Sequence, residues 1–256
     1  MSFFKQNILF RKKRFINQYS FLLDGVNERF NIDSVRTALA TTTTGTWSCW
    51  VKPVDATPAS SDLFISFGAG ADTGSLWFYI DPNGFLAAAG RTTLNQWLVD
   101  TDAAALSDNV WAHVAVVQDG TSPVLYVNGV APAQAFLIST NKTIWFNNLV
   151  MNNGRIGCRF FTVAEGDGGL PFNGNIDEVG FFNTNLSAAG ITEIYNNGKP
   201  KNLLKHSASN NLISYFRMGD KDTFDGTNWT LVDQKGTNNG TSVNMEENDR
   251  ELSDVP

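Results

Sequence analysis

Along most of this chain the apolar residues come in short alternating runs separated by turn residues, the period of β-strands. "SFLLDG" and "RFNI" are the first such runs, followed by "GTWSCWVKP", in which Trp47, Cys49 and Val51 share one face. "DLFISFG" comes next. "SLWFYIDPNGFLAAAG" predicts a hairpin turning at Asp81-Pro82-Asn83-Gly84, because Asn-Gly accepts positive φ. "VWAHVAVVQDGTSPVLYVNGV" predicts two strands joined at Asp119-Gly120, with a tight turn at Asn128-Gly129. "GRIGCRFF" and "GNIDEVGFF" are the last strands before the pattern changes. So many short strands, with turns between them, predict an all-β, two-sheet antiparallel jelly-roll sandwich.

The period shifts once. Ser187 is a good N-cap, Ile191, Ile194 and Tyr195 form an i, i+3, i+4 stripe, and Gly198 and Pro200 supply a left-handed cap and a stop. A short helix near residues 187–197 is predicted. It is too short to be stable alone, so its stripe must face the sandwich. Beyond it, "NNLISYFRMGD" reads as a strand and "NWTLVDQKGTNNGTSVNM" as a hairpin. "EENDRELSDVP" reads as a solvated acidic tail or an extension along a neighbour. The expected organisation is an attachment arm over 1–18, a jelly roll over 19–200, and a C-terminal strand and hairpin extension over 201–256. This last block packs on its own sandwich or on a neighbour's.

Composition narrows the classes. The chain has 256 residues, which allows one large all-β domain or two small ones, and at 17% charged and 12% aromatic a packed core is expected rather than disorder. A net charge of −6 argues against nucleic acid as a partner. No run of 18 apolar residues is present, so no transmembrane helix is expected. Residues 1–18 combine Arg11-Lys12-Lys13-Arg14 with Phe3, Phe4, Ile8, Leu9, Phe10 and Phe15, and do not have the form of a secretory signal. An arm docking on protein is favoured over one touching a membrane, given the acidic body. Cys49 and Cys158 read as buried free thiols, and two histidines, His113 and His206, cannot build a multi-histidine metal site.

The ordered set "FLLDGVNERFNI", "TWSCWVKP", "NVWAHVAVVQDG", "VLYVNG" and "FNGNIDEVGFFNTNLSAAGITEIYNNG" resembles the laminin G-like jelly roll of the concanavalin A-like lectin/glucanase superfamily. It spans residues 21–198. The block after the helix is similar to the family's opening strand and turn, an order like that of modules in bacteriophage virion proteins and marine bacterial surface proteins. The resemblance implies a structural calcium held by Asp24, from the opening "DG", and Asp177, from "IDEV"; calcium favours such hard oxygen ligands. The alternative is that Asp24 braces its own turn and Asp177 is a solvated strand residue.

Catalysis is not expected. Glycosidases need two carboxylates about 5–10 Å apart across the sugar, and no strand shows the alternating acidic pattern of glucanases with this fold. Asp177 and Glu178 are adjacent, so regular strand geometry sends them to opposite faces. His113 is read as a core residue. For ligand binding, Trp77 and Tyr79 share one face of their strand, opposite Leu76, Phe78 and Ile80, while Trp97 and Trp145 lie near polar loops. These four aromatics are the candidate glycan-stacking residues; core packing is the competing reading. The sequence therefore suggests a non-catalytic virion decoration or fibre protein with a lectin-like module. It would be made in a host cytoplasm, oligomerise with itself, and join other virion proteins through the arm. The alternative is a carbohydrate-binding or adhesion module of a bacterial surface protein.

Overall fold

The computed structural model describes residues 15–69, 74–160 and 167–256. Two antiparallel sheets lie face to face. The seven-stranded sheet runs in the order Arg250–Leu252, Tyr19–Asp24, Asn173–Phe182, Gly45–Pro53, Ala112–Gln118, Pro123–Val127, with Leu212–Phe216 also paired to Asn173–Phe182. The ten-stranded sheet runs Gln134–Ser139, Asn95–Thr101, Leu86–Arg91, Ser75–Ile80, Asp62–Gly68, Asn153–Ile156, Arg29–Asn31, Gly240–Val243, Trp229–Leu231, Thr223–Phe224. A small hairpin, Arg159–Phe160 with Asp167–Gly169, stands apart. The all-β jelly-roll expectation holds.

Alternation explains the layers. Trp47, Cys49 and Val51 from one sheet meet Leu76, Phe78 and Ile80 from the other in a single core. Trp47 sits at its centre, with ring centroids 5.1 Å from Phe67, 5.0 Å from Trp145 and 6.2 Å from Phe181. Both predicted hairpin turns form, and Asn128 and Gly129 take φ of 49° and 81° as an Asn-Gly turn requires.

The predicted helix spans Ala188–Tyr195, and Ser187 Oγ accepts from Gly190 N at 3.2 Å. The left-handed cap falls on Asn196 (φ 48°), two residues before the expected Gly198. Ile191 and Ile194 are buried on the outer side of the seven-stranded sheet, against Ala115, Val117, Tyr126, Phe182 and Tyr215. Tyr195 stacks on Trp50 with centroids 5.8 Å apart. A second helix, Asp33–Leu39, was not expected. It has no side-chain cap and rests instead on burial of Val35 and Leu39 and on Asp33, which accepts from Gly154 N and from Arg155 Nη1.

The C-terminal block completes its own sandwich. Gly240–Val243 pairs with Arg29–Asn31, and Arg250–Leu252 pairs with Tyr19–Asp24. Phe216, Trp229, Leu231 and Met245 enter the common core. The acidic end is thus no solvated tail. Its last residues are tied down by Asp254, which pairs with Lys52 and accepts from Trp111 Nε1 at 3.1 Å. The expected arm lies mostly outside the described residues, including Arg11 to Arg14; residues 15–18 are described.

Candidate functional site

The outer face of the ten-stranded sheet carries Trp77 and Tyr79, of which Trp77 alone among the four aromatic candidates keeps partial exposure. Antiparallel register aligns Trp77 with Ala89 and Leu98, and Tyr79 with Ala87 and Asp100. Leu63, Tyr79, Ala87 and Ala89 form a small cluster there, flanked by Trp77, Leu98 and Leu170. Residues on either side of the Arg159–Phe160 and Asp167–Gly169 pairing border this cluster. Leu63 N donates to Leu170 O at 3.2 Å, and the Arg159 guanidinium lies 5.6 Å from the Trp77 ring centroid. Trp77 is partly exposed, whereas Tyr79 is buried with its phenol pKa raised, first by burial and then by Asp81 and Asp100. Burial also raises the Asp100 carboxyl, with Asp81 adding to the effect. An aromatic face beside a guanidinium and acidic oxygens can stack on an apolar sugar face and bond its hydroxyls.

Trp97 and Trp145 are not part of it. Both are core side chains at 1% exposure. Trp97 lies on the inner side of the strand Asn95–Thr101, and its Nε1 donates to Ile144 O at 2.9 Å. Trp145 packs on Trp47 and Phe146. Their polar neighbours in sequence concealed inward-facing positions.

The other sheet corrects the acid pair. Asp177 pairs with Trp50, but the next register match is Gly180 with Ser48, so a bulge holds an extra residue and Glu178 has φ of 50°. Ile176 and Val179 both face the core, which turns Asp177 and Glu178 outward together rather than to opposite faces. They are 0% and 2% exposed. Asp177 accepts from Asn17 Nδ2 at 2.6 Å, and Glu178 accepts from the Tyr215 hydroxyl and faces Arg217 Nε at 3.4 Å. Burial raises both carboxyls, Glu178 to about 7; Asp177 is raised further by Glu178 beside it. Such a pair is sealed from any sugar.

Asp24 and Asp177 do not converge. Asp24 faces Asn173, four residues before Asp177 on the same strand, a separation of about 13 Å at 3.3 Å per residue. Asp24 Oδ1 instead accepts from Val26 N and Asn27 N, bracing its own turn. Calcium ligands sit at about 2.3–2.6 Å from the ion, so this pair does not fit one ion. Among the described residues no group of three or more His, Cys, Asp or Glu side chains is placed to hold a metal. His113 is fully buried, bonded to Ser48 Oγ at 2.8 Å, and burial pushes it down to about 3. It is a neutral core residue. Sequence reasoning missed Arg159, Leu98, Tyr215 and Arg217, since only pairing brings them to these faces.

A two-sheet lectin-type sandwich is the class these features define. The family model described as the concanavalin A-like lectin/glucanases superfamily, of laminin G type, matches residues 24–192, and the chain belongs to that superfamily. Among curated proteins none matches it. The CBM40 of the Ruminococcus gnavus IT-sialidase, solved bound to alpha2,3 sialyllactose, superposes with a TM-score of 0.56 at 18% identity over 69% of this chain and 97% of that one. A Bacteroides ovatus protein, described as a candidate carbohydrate-binding protein, gives 0.61 at 16% identity over 96% of this chain and 62% of its own. The leech intramolecular trans-sialidase gives 0.56 at 17% identity, over 73% of this chain but 29% of that chain. At such identities these likenesses establish the fold alone.

Proposed function

We propose that this chain is a non-catalytic carbohydrate-binding module of an adhesive, surface-exposed protein. It would take its glycan against Trp77 on the outer face of the ten-stranded sheet. The observation that carries this reading is Trp77 itself, on the outer side of a strand whose Leu76 and Phe78 fill the core, with Arg159 set beside its ring. The CBM40 likeness supports the same reading, and the sealed Asp177–Glu178 pair supports a role without hydrolysis. The carbohydrate-binding and sialidase likenesses named above support this reading over the virion role suggested by the sequence. Among the described residues no helix is long and apolar enough to cross a membrane.

The test is a glycan array followed by calorimetric titration, with sialyllactose as the first soluble probe. Trp77→Ala is expected to weaken binding at least about tenfold, since base- or sugar-type stacking on an aromatic ring contributes on the order of 1–3 kcal/mol, while the melting temperature stays close to wild type. A protein that binds no arrayed glycan, or a Trp77→Ala variant that binds as well as wild type, overturns the proposal.

A further inference from the structure

Residues 15–18 are held by side chains of the sandwich body. Arg217 Nη2 donates to Ile16 O at 2.5 Å, and its guanidinium lies 4.4 Å from the Phe15 ring centroid. The same Nη2 bonds Asp220 Oδ2 at 2.8 Å, while Nε faces Glu178. Asp177 takes Asn17, and Asp220 Oδ2 receives Gln18 N at 3.4 Å. Ser253 N donates to Gln18 O at 2.8 Å, so the C-terminal residues brace the segment from its other side. One guanidinium thus joins a carbonyl, an aromatic ring and two carboxylates. The bulge at Glu178 is what turns the acid pair toward this segment, because a regular strand would bury one of the two carboxylates in the core.

We propose that residues 15–18 are a strap buckled by Arg217, which fixes the side on which the preceding chain meets the sandwich. That side is the outer face of the seven-stranded sheet. It lies across the core from Trp77, so the described end of the strap, at Phe15, leaves the aromatic face open. The strap stands whether or not that face takes a glycan. Its parts are unequal: the ladder of Tyr19–Asp24 is shared with two strands, whereas residues 15–17 rest on Arg217 and Asp177. The strap can therefore open while the sandwich stays folded.

Limited trypsin digestion of the full chain, read by mass spectrometry, tests this at the Arg14–Phe15 bond. In wild type that bond should be cut more slowly than those after Arg11 and Lys12. Arg217→Met should speed it about tenfold, the effect of losing one charge-assisted hydrogen bond. Because that variant leaves Glu178 and Asp220 without their cation, a neutral triple variant, Arg217→Met with Glu178→Gln and Asp220→Asn, provides the second arm. It should melt near wild type yet stay fast to cleave, since Ile16 O and the Phe15 ring still lack their partner. Wild-type cleavage in Arg217→Met, or protection restored in the triple variant, would show that Arg217 merely neutralises the acids and would overturn the strap.

Discussion

A Cβ built on Gly90 would lie 2.2 Å from Trp97 Nε1, so the Trp97 indole fills the space that any side chain at position 90 would need. The glycine lets a strand of the ten-stranded sheet pass directly over a core tryptophan. Gly90→Ala is expected to cost about 1–3 kcal/mol, the usual penalty for overfilling a close-packed core. The lower urea midpoint should be accompanied by a shifted tryptophan emission. A midpoint unchanged from wild type would mean that the indole moves aside freely.

Asp233 holds the C-terminal block to the sheet. Its Oδ1 accepts from Tyr215 N at 3.0 Å and Lys235 N at 2.9 Å, and its Oδ2 accepts from Asn238 N at 3.1 Å. Asp233→Ala leaves the buried Tyr215 amide and two turn amides without their acceptor and should destabilise the chain by about 2 kcal/mol. Hydrogen exchange should locate the loss at Leu212–Phe216 and the loop after it. Protection left intact at those residues would contradict this role.

The register separating Asp24 from Asp177 makes a further prediction. Asp24→Ala removes the acceptor of two turn amides and should cost about 1 kcal/mol, as loss of a comparable capping oxygen does. The cost should be the same in millimolar calcium and in chelator. A penalty that appears with calcium alone would restore Asp24 as a metal ligand.

Stability should rise on mild acidification. Burial pushes Asp62 and Asp222 up to about 6 and Glu178 up to about 7, so the folded chain holds these protons more tightly than the unfolded one. Their stabilisation is complete below the unfolded values of 3.8 and 4.5 and is lost as pH rises through 6 to 7. His113 acts in reverse. Burial lowers it from 6.5 to about 3, so its contribution is present above 6.5 and declines as pH falls toward 3. Three carboxyls outweigh one imidazole. Thermal melts should therefore be higher at about pH 5.5 than at about pH 8, and Asp222→Asn should narrow the gap. A higher melt at the alkaline value would refute the balance.

What the sequence determined by itself was local. Alternation of apolar residues put Trp47, Cys49 and Val51 on one face and separated Leu76, Phe78 and Ile80 from Trp77 and Tyr79, because side chains on an extended chain point to alternate sides. Asn128-Gly129 announced its turn, and Ser187 with Ile191 and Ile194 announced the helix, since backbone preference and capping act over a few residues. Tertiary structure decided everything that depends on pairing between distant segments. The register between Tyr19–Asp24 and Asn173–Phe182 moved Asp24 away from Asp177. One extra residue opposite Ser48 and Trp50 put Asp177 and Glu178 on the same side, which strand periodicity cannot foresee. Trp97 and Trp145 went inside because their strand and loop close over a core whose other walls lie far away in sequence. The C-terminal block paired with Arg29–Asn31 and Tyr19–Asp24 rather than lying free, because Trp229, Leu231 and Met245 leave water only when they reach that shared core.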